Sequence, residues 1–233
     1  MSNYSLPTPT ALSDVVFHSA IEQRLIMDIA NGAKAFPSSG KNGLLLWGDY
    51  GTGKTTLANL LPEAIEQGKT GQSVLVVDNF ACNQTLIGPK LAKDIYDRAC
   101  HISGNHSNFH YFVLDEVDNL TDSAQKSLKS VMNLPNTVFV LTTNFVKRID
   151  AGVKNRCVQI NCNAAPAQAY LPIAKQVLAG YGALPIADQK LLPIIEQCKG
   201  SVREITDYME RLAAMQHAQA HREVVLPKVA VTP

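Results

Sequence analysis

The stretch Gly43-Leu44-Leu45-Leu46-Trp47-Gly48-Asp49-Tyr50-Gly51-Thr52-Gly53-Lys54-Thr55-Thr56 decides how the rest of the chain is read. Its first five residues form an apolar run, and from Thr55 a helical spacing of apolar positions extends to Gln67. Between them Gly48 to Thr55 spell Gly-x-x-x-x-Gly-Lys-Thr. A glycine-rich turn between a buried strand and a helix start cradles phosphates. Glycines let the main chain approach, its N–H groups face the anion, and the helix adds its positive end. Gly48, Asp49, Tyr50, Gly51, Thr52, Gly53, Lys54, Thr55 and Thr56 are therefore the candidate ATP-binding residues. Lys54 is the residue to reach the β- and γ-phosphates, and the Thr55 hydroxyl the one to hold Mg2+. Asp49 is an unusual choice beside a polyanion.

Outward from this loop, apolar runs at 73–77, 109–114, 137–141 and 158–161 join 43–47 as candidate buried strands. Helical patterns at 55–67, 89–101 and 123–133 separate the first four. Uniformly apolar strands alternating with helices predict an α/β fold, a five-stranded parallel sheet covered on both faces. A helical pattern over 13–31, capped by Ser13 or Asp14, precedes the sheet, and residues 1–12 read as a loose arm. After Cys162 the texture changes to three helical patterns at 166–179, 186–198 and 201–217, a small three-helix lid. The spacing thus divides the chain into a nucleotide-binding base (1–162), a helical lid (163–221) and a tail (222–233).

The second acidic signal is Tyr111-Phe112-Val113-Leu114-Asp115-Glu116, an apolar strand ending in two carboxylates. A strand end sets Asp115 beside the phosphate loop as a Mg2+ residue, and Glu116 is the natural general base for an attacking water. Asp118 reads as a helix-start carboxylate. Asn144, closing the run Leu141-Thr142-Thr143, either faces the γ-phosphate and orients water or serves as a turn residue.

Bulk properties narrow the class. A net charge of +1 carries no global basic field, so any nucleic-acid contact must come from a local patch. Five cysteines with no Cys-x-x-Cys pair argue against a disulfide framework and fit a reducing, cytoplasmic setting. The N-terminus lacks a basic and apolar leader pattern, and no apolar stretch reaches the length of a membrane span.

Beyond these local signals, an ordered set of motifs from about Asp14 to Ala213 resembles the AAA+ ATPases, and within them the clamp-loader small subunits of the replication factor C and phage type. The set comprises the phosphate loop, the run Asp115-Glu116-Val117-Asp118 with its following Ala124-Gln125, Asn144 followed by Asn155-Arg156-Cys157, and Gly200-Ser201-Val202-Arg203. The resemblance implies that Asn144 is a sensor of the γ-phosphate and that Arg156 is an arginine finger offered to ATP on a neighbouring subunit. It implies that Arg203 reaches back from the lid to its own nucleotide and that Val15 and Val16 lie near the adenine. It also implies a homo- or hetero-oligomeric ring or spiral. Departures are the Asp49-Tyr50 pair where loaders carry Pro-Pro, Asn155 in place of Ser, and too few residues after the lid for the loaders' collar domain.

Three functional readings follow: a DNA-handling motor related to clamp loaders, with a sliding clamp as partner; an ATP-dependent DNA-bound assembly that recruits a helicase or another replication or recombination protein; and a ring acting on protein partners. Lys126 and Lys129, three apart, share a helix face that in loaders meets DNA, with Lys147 and Arg148 adding local charge; the alternative is a solvated face. Arg148 is the weaker rival to Arg156 as a finger. Cys100, His101, His106 and His110 are metal-ligand types in a loop whose spacing fits no common zinc pattern and which reads as a solvated connection.

Overall fold

The computed structural model describes residues 8–82 and 88–225. Five strands, β1 (Gly43–Trp47), β2 (Val77–Ala81), β3 (His110–Asp115), β4 (Thr137–Thr143) and β5 (Cys157–Asn161), form one parallel sheet in the order β2-β3-β4-β1-β5. Each central strand is buried on both faces because its alternate residues enter different cores. Leu44 and Leu46 pack with Val138, Val140, Tyr111 and Ile160 against α1 (Ala20–Ala30) and α2 (Lys54–Thr70). Leu45 packs with Phe112, Leu114, Phe139 and Leu141 against α3 (Gly88–Ala99) and α4 (Asp122–Val131). A short α5 (Ala151–Asn155) connects β4 to β5.

Residues 9–164 form one compact unit. From Ala165 the chain forms a second unit, in which α6 (Leu171–Gly180), α7 (Asp188–Gln197) and α8 (Val202–Val225) bury Ala174, Val177, Leu191, Ile195, Ile205 and Met209. Helix α8 runs four residues past 221, where the tail was expected to begin; 226–233 lie outside the described residues, as do 1–7 of the arm.

Three expectations are corrected. The N-terminal helix starts at Ala20, capped by the Ser19 hydroxyl, which accepts from the Glu22 N–H. Upstream of it Leu12–Asp14 is a separate 3-10 turn, where Asp14 Oδ2 accepts from the Thr10 and Ala11 N–H groups. Those two bonds, the Thr10 one foremost, hold the Asp14 carboxyl below its ordinary range.

The second correction is β2, expected at 73–77 and found at Val77–Ala81. The apolar run Val74-Leu75-Val76 looks like a strand, yet Leu75 and Val76 are exposed. Their N–H groups are both taken by Asn105 Oδ1 at 2.9 Å, and Asn105 Nδ2 returns bonds to the Val76 and Phe109 carbonyls at 2.9 Å. One buried amide thus does the pairing a strand would have done.

The third correction follows from the second: the loop 101–110 is not merely a solvated connection. Besides Asn105, Ser107 donates its N–H and hydroxyl to the fully buried carboxylate of Glu66 on α2, which also accepts from the Tyr111 hydroxyl at 2.8 Å. Burial raises the Tyr111 phenol well above its ordinary range. His110 stacks on Phe112 and meets the His101 carbonyl through Nε2.

Gly68 marks where α1 and α2 cross most closely. A Cβ there would sit 1.7 Å from the Ala30 carbonyl oxygen, a main-chain atom that cannot rotate away. Gly68→Ala is expected to destabilise the base unit by about 3 kcal/mol, read as a lower denaturant midpoint with an unchanged slope. Asn105→Leu strands the Leu75 and Val76 N–H groups and the Val76 carbonyl, while the Phe109 carbonyl keeps the Ser103 hydroxyl; it is expected to cost about 2–4 kcal/mol in the same measurement.

Candidate nucleotide site

The phosphate loop is held from both sides before it can hold anything itself. The Gly48 N–H donates to the Thr143 carbonyl at the end of β4, and the Cys162 N–H donates to the Trp47 carbonyl. The Asp49 N–H donates to Asn163 Oδ1 at 3.0 Å. A Cβ on Gly48 would lie 2.7 Å from the Cys162 carbonyl carbon, so only glycine admits this approach. Gly51 and Gly53 turn the loop with φ of 76° and 88°, and Gly53 caps α2 without a side-chain acceptor. The first N–H groups of α2 therefore face the loop's interior with the helix dipole behind them.

Lys54 is buried, 7% exposed, and its ammonium donates to the Gly48 and Asp49 carbonyls at 2.9 and 2.6 Å. Burial pulls its pKa down, opposed by Cys162, Asp49, Asp115 and Asp118. Asp49 thus serves the loop through its main chain, its carbonyl also accepting from Thr52 Oγ1. Burial pushes the neighbouring Cys162 thiol up to about 12, so it stays protonated beside the lysine. Thr56 lies half-buried in the first turn of α2, and Tyr50 is exposed and packs edge-to-face with Phe145, ring centroids 6.1 Å apart.

Opposite the loop, the ends of β3 and β4 are braced together. Thr55 Oγ1 donates to Asp115 Oδ1 and Oδ2 at 3.0 and 3.1 Å. Thr142 Oγ1 donates to the same Asp115 Oδ1 and accepts from the Glu116 N–H at 2.9 Å. Glu116 adopts a left-handed φ of 56°, is exposed, and its Oε2 accepts from Asn119 Nδ2 at 3.0 Å. A hydroxyl and a carboxylate in contact at a helix start are the hard oxygen donors that suit Mg2+, so the residues present fit that ion.

Asp118, expected as a helix-start carboxylate, stands in the first turn of a short helix and also bonds across to the end of β4. It lies in the 3-10 turn Val117–Asn119, and its Oδ1 accepts from the buried Thr143 hydroxyl at 2.7 Å and from the Asn144 N–H at 3.1 Å. It pins the backbone on which Asn144 sits. No local sequence pattern carries this contact, because it joins residues 26 apart. Gln125, of the Ala124-Gln125 pair, has a role the sequence pattern does not show: buried on α4, it donates to the Leu120 and Arg148 carbonyls and accepts from the Asp150 N–H.

Arg156 is half-buried at the end of α5, its Nε donating to Asn133 Oδ1 and one Nη to the Gly152 carbonyl, both at 2.9 Å. Its own carbonyl accepts from the Asn42 and Gly43 N–H groups, at the start of β1. The phosphate loop leaves the other end of β1, roughly 16 Å away along the strand. Arg148 instead stacks over Phe145, its guanidinium 4.4 Å from the ring centroid. Lys126 is exposed, whereas Lys129 lays its stem against Gly152. Val15 and Val16 are half-buried in a segment tied down by His18, whose Nδ1 meets the Ala164 carbonyl at 2.9 Å. Arg203 is exposed in the first turn of α8, in the C-terminal unit.

Residues 44–163, more than half of the chain, match the family model described as "ATPase family associated with various cellular activities (AAA)". The chain belongs to the AAA ATPases. The module is similar to Replication factor C small subunit 2 of Pyrobaculum islandicum, 26% identical over 208 residues that cover 88% of this chain and 62% of that protein. It is also similar to small subunit 1 of the same organism, 25% identical over 227 residues that cover 97% of this chain and 66% of that protein. The AAA chain therefore spans less than two thirds of the length of these relatives. Among solved structures, Thermotoga maritima RuvB, described as a Holliday junction branch migration motor, superposes with a TM-score of 0.65 at 17% identity over 91% of this chain and 67% of that one. That likeness establishes the shared fold. Among the described residues, no helix is long and apolar enough to cross a membrane.

Asp118→Ala removes the acceptor for a buried hydroxyl and a main-chain N–H, and is expected to cost on the order of 1–3 kcal/mol in chemical denaturation. Asp118→Asn, which keeps one acceptor oxygen, is expected to lose less than half of that.

Proposed function

We propose that this AAA module binds Mg·ATP at the phosphate loop and hydrolyses it at a site completed by a neighbouring subunit, in a ring or spiral that acts on DNA. The observation that carries the reading is the convergence of Thr55, Asp115, Thr142 and the Glu116 main chain at the mouth of the Lys54 loop. Three separate elements meet there through hydroxyl–carboxylate bonds, a geometry that serves metal-assisted phosphoryl transfer.

In this reading the loop N–H groups and Lys54 hold the β- and γ-phosphates, and Val15 and Val16 flank the adenine. Lys54 gives up its two loop carbonyls for phosphate oxygens, which restores a full countercharge to a buried ammonium. Thr55 and Asp115 hold Mg2+, which supplies charge neutralisation at the transferring group. Glu116 takes a proton from the attacking water once its Oε2 leaves Asn119, and Asn144 orients that water. Arg203 reaches the γ-phosphate from the lid of its own subunit.

Arg156 sits at the opposite end of β1 from its own loop, farther than an arginine side chain extends. That separation supports delivery to a neighbour's nucleotide, where a guanidinium stabilises the charge developed in transfer. Similarity to Replication factor C small subunits supports a DNA-directed role, with Lys126 and Lys129 as backbone contacts and a sliding clamp, helicase or other replication or recombination protein as downstream partner.

Two variants test the shared site. Glu116→Gln and Arg156→Ala should each lose hydrolysis, the second by ~10³-fold or more. Mixed together they should recover measurable turnover, because the first still offers its finger and the second still offers its base. An Arg156→Ala protein that keeps the wild-type rate, or a mixture no faster than its parts, would sink the scheme. Stimulation of the wild-type rate by DNA and further by a sliding clamp supports the loader reading, and stimulation by neither overturns the DNA-directed one.

A further inference from the structure

Trp47 and Asn161 are the last paired residues of β1 and β5, and the two segments stay in contact beyond them. The Cys162 N–H reaches the Trp47 carbonyl at 2.7 Å. Asn161 Oδ1 accepts the Asn163 N–H at 3.0 Å, a side-chain turn that fixes the backbone at Asn163. From there Asn163 Oδ1 accepts the Asp49 N–H in the phosphate loop, 114 residues away in the chain.

The peptide unit that joins Gly48 to Asp49 is held at both of its edges. A trans peptide is planar, and its N–H and C=O point in opposite directions. The N–H of this unit goes to Asn163 Oδ1 at 3.0 Å, and the C=O accepts from the Lys54 ammonium at 2.9 Å. Gly48 has no Cβ to restrict its torsions, so partners outside it must set the plane. Lys54 is buried and, among the described residues, forms no ion pair; its ammonium bonds to the Gly48 and Asp49 carbonyls. The Asp49 carbonyl is held within the loop by Thr52 Oγ1. The Gly48 carbonyl is held through its own peptide plane, from Asn163.

We propose that Asn163 is a positioning residue for the triphosphate. It touches no phosphate; it keeps the Gly48–Asp49 peptide turned so that Lys54 stands where the β- and γ-phosphates enter. The inference rests on the reading of this loop as the Mg·ATP site and adds to it a residue from beyond the end of β5. Without the Asn163 acceptor the plane rotates about Gly48, and the loop must be ordered again each time nucleotide binds. Asp115, Glu116 and Asn144 are braced by other bonds, so the loss falls on binding more than on the chemical step.

A double-mutant cycle on the full chain tests this, read as Mg·ATP affinity with a fluorescent analogue and as steady-state hydrolysis. Asn163→Leu keeps the side chain's size and removes the acceptor. It is expected to weaken Mg·ATP binding about five- to tenfold and to raise KM to match, while kcat moves less than about twofold. Asp49→Pro removes the N–H itself and fixes φ, so Asn163 has no bond left to make there. Adding Asn163→Leu to Asp49→Pro should weaken binding by less than about twofold more. A residue that merely packs the end of β5 costs the same in both backgrounds, and that result overturns the proposal. Asn163→Asp keeps an acceptor oxygen, so it should fold and lose only the cost of its added charge, which shrinks as salt rises. An Asn163→Asp protein as weak as Asn163→Leu at high salt overturns the proposal, as does a folded Asn163→Leu protein that binds like the wild type. Each of those results leaves the Mg·ATP site standing. A Lys54→Ala protein that binds Mg·ATP as tightly as the wild type overturns the site and the proposal together.

Discussion

The carboxylate of Asp115 is the constraint on which the site depends. It ends β3, takes the Thr55 hydroxyl from the start of α2 and takes the Thr142 hydroxyl from β4. The helix that follows the phosphate loop, the strand that carries the acids and the strand that carries Asn144 are thereby held to one another by a single anion. Two threonine hydroxyls satisfy it at no cost in buried charge beyond its own. Around that point the adjacent brace, Asp118 with Thr143 and Asn144, repeats the device one register step further on.

The remainder of the base unit keeps those strand ends in line. Leucines on alternate faces of β1 lock it between two cores, so the loop after Trp47 leaves from a fixed position. Burial also makes three cysteines harder to ionise: the thiols of Cys82, Cys157 and Cys162 are each pushed up to about 12. They act as small apolar residues, in keeping with a chain whose cysteines are all free. Elsewhere Glu66 and Asn105 show that this fold also buries polar groups: Glu66 accepts from Ser107 and from the Tyr111 hydroxyl, and Asn105 bonds the main chain of Leu75, Val76 and Phe109.

The parts of the site that were legible in the amino-acid order are those whose chemistry is local. Gly48 to Thr55 must turn and expose N–H groups, which demands glycines at set spacings, and β1, β3, β4 and β5 are runs that can only be buried. The misreadings share one cause. At 73–76 an apolar run imitates a strand, but its hydrogen bonds go to Asn105, some 30 residues away, and β2 forms instead from the more polar Val77-Asp78-Asn79-Phe80-Ala81. Asp118 has the sequence position of a helix-start acid, and its partners arrive from another strand. Ser13 and Asp14 read as caps, yet the helix starts only after Ser19, because Leu12–Asp14 closes its own 3-10 turn that buries Leu12.

Amino-acid order alone carries the α/β class, the phosphate loop, and the acids that face it, because main-chain conformation and hydrophobic period are written within a few residues of each position. That Asp115 joins three elements, that Asp118 pins Asn144, and that Arg156 stands at the far end of β1 from its own loop emerge only on folding. Those facts are distances between residues far apart in the chain, and they come into being only when the sheet order β2-β3-β4-β1-β5 brings the strand ends together.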